Sequence, residues 1–516
     1  MPETTAASPA DSSSASRRLA SGAAWAQVSR IAEIASSLAL SLLLIRVLGP
    51  GRYGEYAFLV NAAAVGAVLL SLGFPETLMR YVSLLYAGGE MPQIRFLLRR
   101  LAAVRAASYG VGVALLLAFH GVGEALHLPL VDRYWAAIAG LMVSQGAIEF
   151  STSYAYALLR SRDVAVARTV GQVVAVMFFG AMVLVGWTDS VSAAITVMIA
   201  YLLASAMLFV RGLGGVLMRG NASPIPVRPI AVYALGVWAT TLFTIGLAGQ
   251  IDVILLGALR HDVVQIALYS VATLIFVKLG QLLSGWAATA VSSFADVHSR
   301  RGLEVSGRLL FVYLRLNILV TALVYPPIIL LSDQVTLRVF GSAYAPASGL
   351  MAIFGVFWLA SSFLAAGIPL SFLLALGRQR QAFGIRASTG VLNVVLDLVF
   401  IPPLGALGAI VATGTANLAA HVADYVFAAR LVKARFPWIF AIRVAAVGAV
   451  AAVPSFVLPR DFLGSLVAAI LYAGLFGAGL AVIRPLGPAD VELAARLSPK
   501  VASLVQRLAR GPVLAP

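Results

Sequence analysis

Nine ionisable residues inside otherwise apolar stretches are where this sequence could do chemistry: the cations Arg30, Arg80, Lys278 and Arg315, and the carboxylates Glu33, Glu76, Glu149, Asp252 and Asp397. An ionised side chain at the centre of an apolar span costs roughly 2.5 to 3.5 kcal/mol on insertion scales, so such groups face a cavity or one another. Gln27, Arg30, Glu33, Ser37 and Ser41 fall within about 120° of one helix face, a polar stripe expected to line a cavity. Arg30 and Glu33, three residues apart, equally suit an intrahelical pair that eases insertion. Glu76 and Arg80 follow Gly73 and Pro75, where a helix should kink and release a carbonyl. Arg80 fits either a cavity mouth or a side chain snorkelling to the interface. Lys278 lies about 18 Å into its span, with Gln281 and Gly285 on a similar face, and Arg315 lies near the inner boundary of its own. Asp252 shares a stripe with Thr241, Thr244 and Ala248, and Asp397 stands one turn after Asn393. Either carboxylate would suit a proton or Na⁺, or would serve as counter-ion to the interior cations. No catalytic residue and no metal site emerges.

These residues must be positioned by membrane helices. The 516-residue chain is 61% hydrophobic and 11% charged, against about 25% charged in soluble domains. Fourteen apolar runs of about spanning length lie near 20–47, 55–86, 101–119, 134–159, 168–187, 190–210, 229–257, 266–294, 307–331, 347–374, 386–403, 405–429, 439–457 and 463–483. The net charge of +16 would suggest nucleic acid in a soluble protein, but with the amino terminus inside, 27 of the 37 Lys and Arg fall in inward segments and six in outward loops. That is the positive-inside pattern, and it leaves no reason to expect a nucleic-acid partner. The expected location is a bacterial cytoplasmic membrane, with both termini in the cytoplasm. Zero cysteines exclude disulfides and thiolate chemistry. No Walker A or HExxH sequence occurs, and no loop is long enough for a soluble catalytic domain. The chain therefore reads as a non-enzyme without a cofactor, energised by an ion or substrate gradient. Residues 488–510 alternate apolar positions with Arg496, Lys500 and Arg507, as an interfacial amphipathic helix would.

Several segments resemble the multidrug/oligosaccharidyl-lipid/polysaccharide (MOP) exporters, and within them the polysaccharide transporters or Wzx-type flippases. They are LGPGRYGEYAFLV at 48–60, LGFPETLMRYVS at 72–83, LLRSRDVAVAR at 158–168, ALYSVATL at 267–274, FGSAYAPA at 340–347 and NVVLDLVFIPPLGALGAIVAT at 393–413. The resemblance implies an all-α polytopic protein of about 14 transmembrane helices, with two six-helix lobes around a central cavity and two further carboxyl-terminal helices. Its divisions would be a cytoplasmic tail at 1–19, an N-lobe at 20–211, a linker at 212–228, a C-lobe at 229–430, the last two spans at 439–483 and an amphipathic tail at 484–516. It also implies that cations on the first, second and eighth helices, here Arg30, Arg80 and Lys278, hold the diphosphate of an undecaprenyl-linked sugar. Tyr154, Trp238, Tyr269 and Trp286 would offer aromatic faces to the sugar. Polymerases or glycosyltransferases would be partners. A cation-coupled multidrug antiporter and a lipid II flippase of the same superfamily are the rival readings. A membrane glycosyltransferase or polymerase fits less well, because the outer loops are short.

Overall fold

The computed structural model describes the backbone of residues 9–121, 128–245, 249–283, 285–364, 367–433, 435–487, 491 and 506; side chains are described from Ile31 onward, except at 244–245, 283, 285–289 and 292. Most of the expected amphipathic tail at 488–510, and the side chains of Gln27, Arg30 and Trp286, lie outside the described residues. The fold is all-helical. Among the described residues, eleven helices are long and apolar enough to cross a membrane. The runs expected at 55–86 and 229–257 are broken within the span, and that at 134–159 forms the helix Pro129–Ala157. The chain divides into two compact units: residues 1–245 with 257–266, and residues 246–256 with 267–516.

In the first unit, α1 (Pro9–Leu69) is two helices merged across a kink at Gly49 (φ 68°), followed by Pro50. The chain breaks again before α2 (Phe74–Ala87), at Leu72 and Gly73, both in the left-handed region. Glycine is needed at position 73, because a Cβ there would lie 2.1 Å from the Ala234 carbonyl oxygen. Then follow α3 (Met91–Phe119), α4 (Pro129–Ala157), α5 (Ser161–Leu184), α6 (Ser190–Leu208), a π-helical turn Phe209–Leu213, α7 (Gly214–Met218) and α8 (Val227–Ile245). The joints read as outward meet one another: Arg52 donates to the Thr188 carbonyl at 2.7 Å, and Glu55 accepts from Ser190 at 2.5 Å and lies 3.7 Å from Arg133. The joints read as inward also meet, with Arg99 on the Leu217 carbonyl at 2.8 Å and Arg160 on the Arg211 carbonyl at 3.3 Å. This grouping is that of helices crossing alternately up and down.

The second unit begins with α9 (Gln250–Arg260), whose first residues belong to it. It continues through α10 (Val263–Leu283), α11 (Gly285–Leu330, kinked at Gly302), a short turn α12 (Ser332–Gln334), α13 (Ala347–Phe363), α14 (Ile368–Ala375), α15 (Gln379–Leu404), α16 (Ala406–Val432), α17 (Trp438–Ala452), α18 (Pro454–Val457) and α19 (Phe462–Ile483). The break between α13 and α14 falls at the expected Gly367 and Pro369. The α17–α19 hairpin seals α11 through a core that includes Phe440, Val444, Tyr472 and Phe476, and the Tyr472 hydroxyl donates to the Ala322 carbonyl at 2.6 Å. Burial of such side chains supplies less between helices in lipid than in water, so close packing and these hydrogen bonds carry the association.

Candidate functional site

Where an apolar run ends in the sequence, the helix does not. The sequence reading put Arg105, Arg168 and Arg386 in inward joints, yet α3 begins ten residues before the apolar run at 101 and places Arg105 about 21 Å along its axis. Arg105 is buried, and its Nη2 donates to Glu149 Oε2 at 3.0 Å and to the Tyr109 hydroxyl at 3.2 Å. Gln145 donates to the other Glu149 oxygen at 3.2 Å, and Tyr109 passes a hydrogen bond on to the Ala67 carbonyl at 3.3 Å. Glu149 is therefore an ion-paired carboxylate.

Glu33 is likewise taken. It accepts a hydrogen bond and ion pair from Arg168 of α5, both half-buried. Glu33 thus has a partner on another helix, while the pair suggested by spacing, Arg30 with Glu33, involves a side chain outside the described residues. In the second unit Arg386 Nη2 lies 2.5 Å from Asp424 Oδ2, a wholly buried carboxylate that sequence reasoning missed. The signal that could have found these pairs is the set of charges just outside hydropathy-defined ends, since helices overrun their apolar cores.

Arg80 stands exposed midway along α2, with its guanidinium 4.5 Å from the centroid of the Tyr233 ring and 5.8 Å from that of Tyr81. Glu76 is half-buried one turn before it. The carbonyls released by the break are collected: Val68 accepts from Trp238 Nε1 at 3.1 Å, and Leu70 from Ser108 at 3.0 Å. Trp238 is thereby a brace for the break. Lys278 and Arg315, on α10 and α11 of the second unit, are each half-buried and engaged in interactions. Tyr154 is packed in the core with Phe74, Leu78 and Phe150.

The densest polar site lies in the second unit. The expected continuous span at 229–257 is broken between α8 and α9, so Asp252 sits in the first turn of α9 and not on a stripe running from Thr241. Its Oδ2 accepts from the Tyr269 and Thr413 hydroxyls, and its Oδ1 from Asn393 Nδ2 at 2.9 Å. The same Nδ2 reaches Asp397 Oδ2 at 3.1 Å. Asp252, Asn393 and Asp397 have no exposed surface, and Asn393 Oδ1 and Asp397 Oδ1 have no hydrogen-bond partner. Two carboxylates thus share one amide, with oxygens left over and, among the described residues, no cationic side chain paired with either. Such a site favours a bound cation or a shared proton. Among the described residues no cluster of three His, Cys, Asp or Glu suited to a metal occurs.

No family model and no curated protein matches the sequence. Solved structures do. A lipid II flippase MurJ in an inward closed conformation superposes with a TM-score of 0.65 at 14% identity, over 88% of this chain and 98% of that one. The chain has the fold of MOP superfamily transporters. An inward-facing multidrug resistance MATE family transporter of that superfamily gives 0.62 at 14% identity, over 79% of this chain and 98% of that one. A MOP superfamily transporter from Pyrococcus furiosus, described as having a binding pocket of reversed polarity, gives 0.57 at 13%, over 80% and 95%. With this fold and its many apolar helices, the chain is a multi-pass membrane protein.

Proposed function

We propose that this chain is a flippase of the MOP type, which moves an undecaprenyl-diphosphate-linked oligosaccharide across a bacterial cytoplasmic membrane by alternating access. The observation that carries this reading is the pairing of the interior carboxylates. Glu33 and Glu149 are neutralised by Arg168 and Arg105, and Asp252 and Asp397 are enclosed with Asn393. A cationic drug needs accessible negative charge, and these four carboxylates do not offer it. Arg30, Arg80, Lys278 and Arg315 are assigned to the diphosphate, because a phosphate group in a low-dielectric site needs cations and fixed donors. The additional α17–α19 hairpin supports the flippase over the multidrug antiporter, since the match to MurJ covers more of this chain than the match to the MATE transporter. A lipid II flippase is the second reading on the same grounds. Polymerases or glycosyltransferases are the partners this function implies, and both termini are assigned to the cytoplasm. The Asp252–Asn393–Asp397 site is assigned to a coupling H⁺ or Na⁺.

The test is to replace Arg80 and Lys278 by Ala, singly and together, in a strain whose surface glycan depends on this chain. Loss of surface polysaccharide, with lipid-linked precursor accumulating and the variant still membrane-inserted, supports the proposal. Normal glycan in the double variant, or drug resistance conferred by the wild type, overturns it.

A further inference from the structure

A second surface, independent of transport, lies at the end of the first unit where the α2–α3, α4–α5 and α6–α8 joints meet. Four times the sequence there sets a large exposed apolar side chain directly before an arginine: Leu159-Arg160, Val210-Arg211, Met218-Arg219 and Val227-Arg228. Leu159, Val210 and Met218 are 81%, 83% and 77% exposed. Several guanidiniums in this region are anchored on backbone and not on carboxylates. Arg99 donates to the Leu217 and Gly220 carbonyls at 2.8 and 3.2 Å, Arg95 to Asn221 at 3.3 Å and Arg160 to Arg211 at 3.3 Å. Gly220 and Gly212 leave the space in which Arg95 and Arg160 lie, since a Cβ at either would come within 2.7 Å of the guanidinium. A carbonyl orients a guanidinium without cancelling its charge. Asp163, 2.8 Å from Arg211, is the one acid that an ion pair places within this group of arginines among the described residues.

We propose that this end of the first unit is a seat for an anionic phospholipid of the adjacent leaflet. The exposed Leu, Val and Met side chains enter the acyl region, and the oriented arginines take the phosphodiester. The apolar half of each pair decides for a lipid over a soluble polyanion, which would gain nothing from it. Guanidiniums pre-set by carbonyls also lose little rotamer freedom on binding phosphate.

The purified full chain would be placed in phosphatidylcholine nanodiscs and titrated with phosphatidylglycerol, with lipid retention read by native mass spectrometry. Wild type should retain phosphatidylglycerol in preference to phosphatidylcholine, and R160Q/R219Q should bind it more weakly by about fivefold per arginine. The double variant R52Q/R133Q, which removes the same charge at the first unit's joints read as outward, should bind as wild type. L159S/V210S, with all arginines kept, should also lose retention. Equal retention of the two lipids, or equal losses in R160Q/R219Q and R52Q/R133Q, overturns the proposal. So does unchanged retention in L159S/V210S, which would point to a soluble polyanion. Elution of each variant at the wild-type position in size exclusion establishes that the comparison is between folded proteins.

Discussion

Replacing Arg105 by Leu should be among the most damaging single changes in the first unit. Arg105 sits halfway along a 29-residue helix, 6% exposed, and its Nη2 serves both Glu149 and Tyr109. Leucine is uncharged and shorter, and it leaves Glu149, whose side chain is 26% exposed, with the Gln145 amide as a donor but without its cation. Removing one member of a buried pair costs roughly 3–5 kcal/mol. The partial exposure of Glu149 places this case near 3 kcal/mol, or about 150-fold in the folded-to-unfolded ratio. The double variant R105L/E149L removes both charges and should recover to within about 1 kcal/mol of wild type. Both variants would be unfolded in nanodiscs by heat, with tryptophan fluorescence and size exclusion as readouts. If R105L unfolds like wild type, or if E149L fails to rescue it, the two residues are not each other's counter-ions and the charge assignment of the first unit is wrong.

Other expectations follow from the same geometry. If Asp252 and Asp397 hold Na⁺, salt exchange from K⁺ to Na⁺ should stabilise the wild type by about 2.7 kcal/mol at a hundredfold excess over Kd and leave D252A unmoved; an equal Na⁺ response in D252A would remove the ion from this site. G73A should lower stability by 2 kcal/mol or more, about the cost of a forced left-handed residue plus displacement of the Ala234 carbonyl, whereas G180A in α5, where a Cβ meets nothing within 4 Å, should be neutral or stabilising by about 1 kcal/mol. Asp189 caps α6, accepting from the Ser192 N–H at 2.7 Å; burial pushes its carboxyl up, but the Ser192 hydrogen bonds and the Arg52 charge outweigh this and hold it below its ordinary 3.8. Its contribution is therefore present above pH 4 and lost as the pH falls through the lowered folded value. D189A should cost about 1 kcal/mol at pH 7, with the gap closing in acid; a gap independent of pH would show that the cap does not depend on ionisation.

The spans were legible because a run of about 20 apolar residues has few alternatives to a membrane helix. The breaks at Gly73 and Gly367 were legible because proline follows two residues later in each case. The break between α8 and α9 was not, since Gly246 and Gly249 sit in a run whose composition also suits an unbroken span. The ion pairs were less legible still. Glu33 and Arg168 are 135 residues apart and Arg105 and Glu149 are 44 apart, so nothing in local spacing connects them. Sequence periodicity identifies the face a charge occupies, whereas its partner depends on which helices pack, as in the α1–α5 and α3–α4 contacts. Asp252 and Asp397 stood out because a carboxylate in an apolar run is rare, and both are buried, but Thr413 and Tyr269, which hold Asp252 in place, carry no charge and gave no signal of that role.

Asp252 and Asp397 differ from the arginine-paired Glu33, Glu149 and Asp424, and this bears on where energy could enter the proposed transport cycle. In the first unit Glu33 and Glu149 each face an arginine, whose charge no change of pH or salt within the physiological range will remove. Such pairs stay neutral throughout, and they suit a rigid body. In the second unit Asp252 and Asp397 share Asn393, so the charge they carry depends on what else is bound. A binding event alters a conformational equilibrium only by its differential affinity for the two states. A site with fixed arginine partners has little to differentiate, whereas one that lacks a fixed cation can bind H⁺ or Na⁺ more tightly in one state than in the other. D252N/D397N should accordingly uncouple the cycle from the cation gradient while leaving the R105L effect on first-unit stability unchanged, and a double-variant cycle between the two sites should show no interaction energy beyond about 0.5 kcal/mol. A larger coupling would mean that the arginine pairs of the first unit respond to the state of the second.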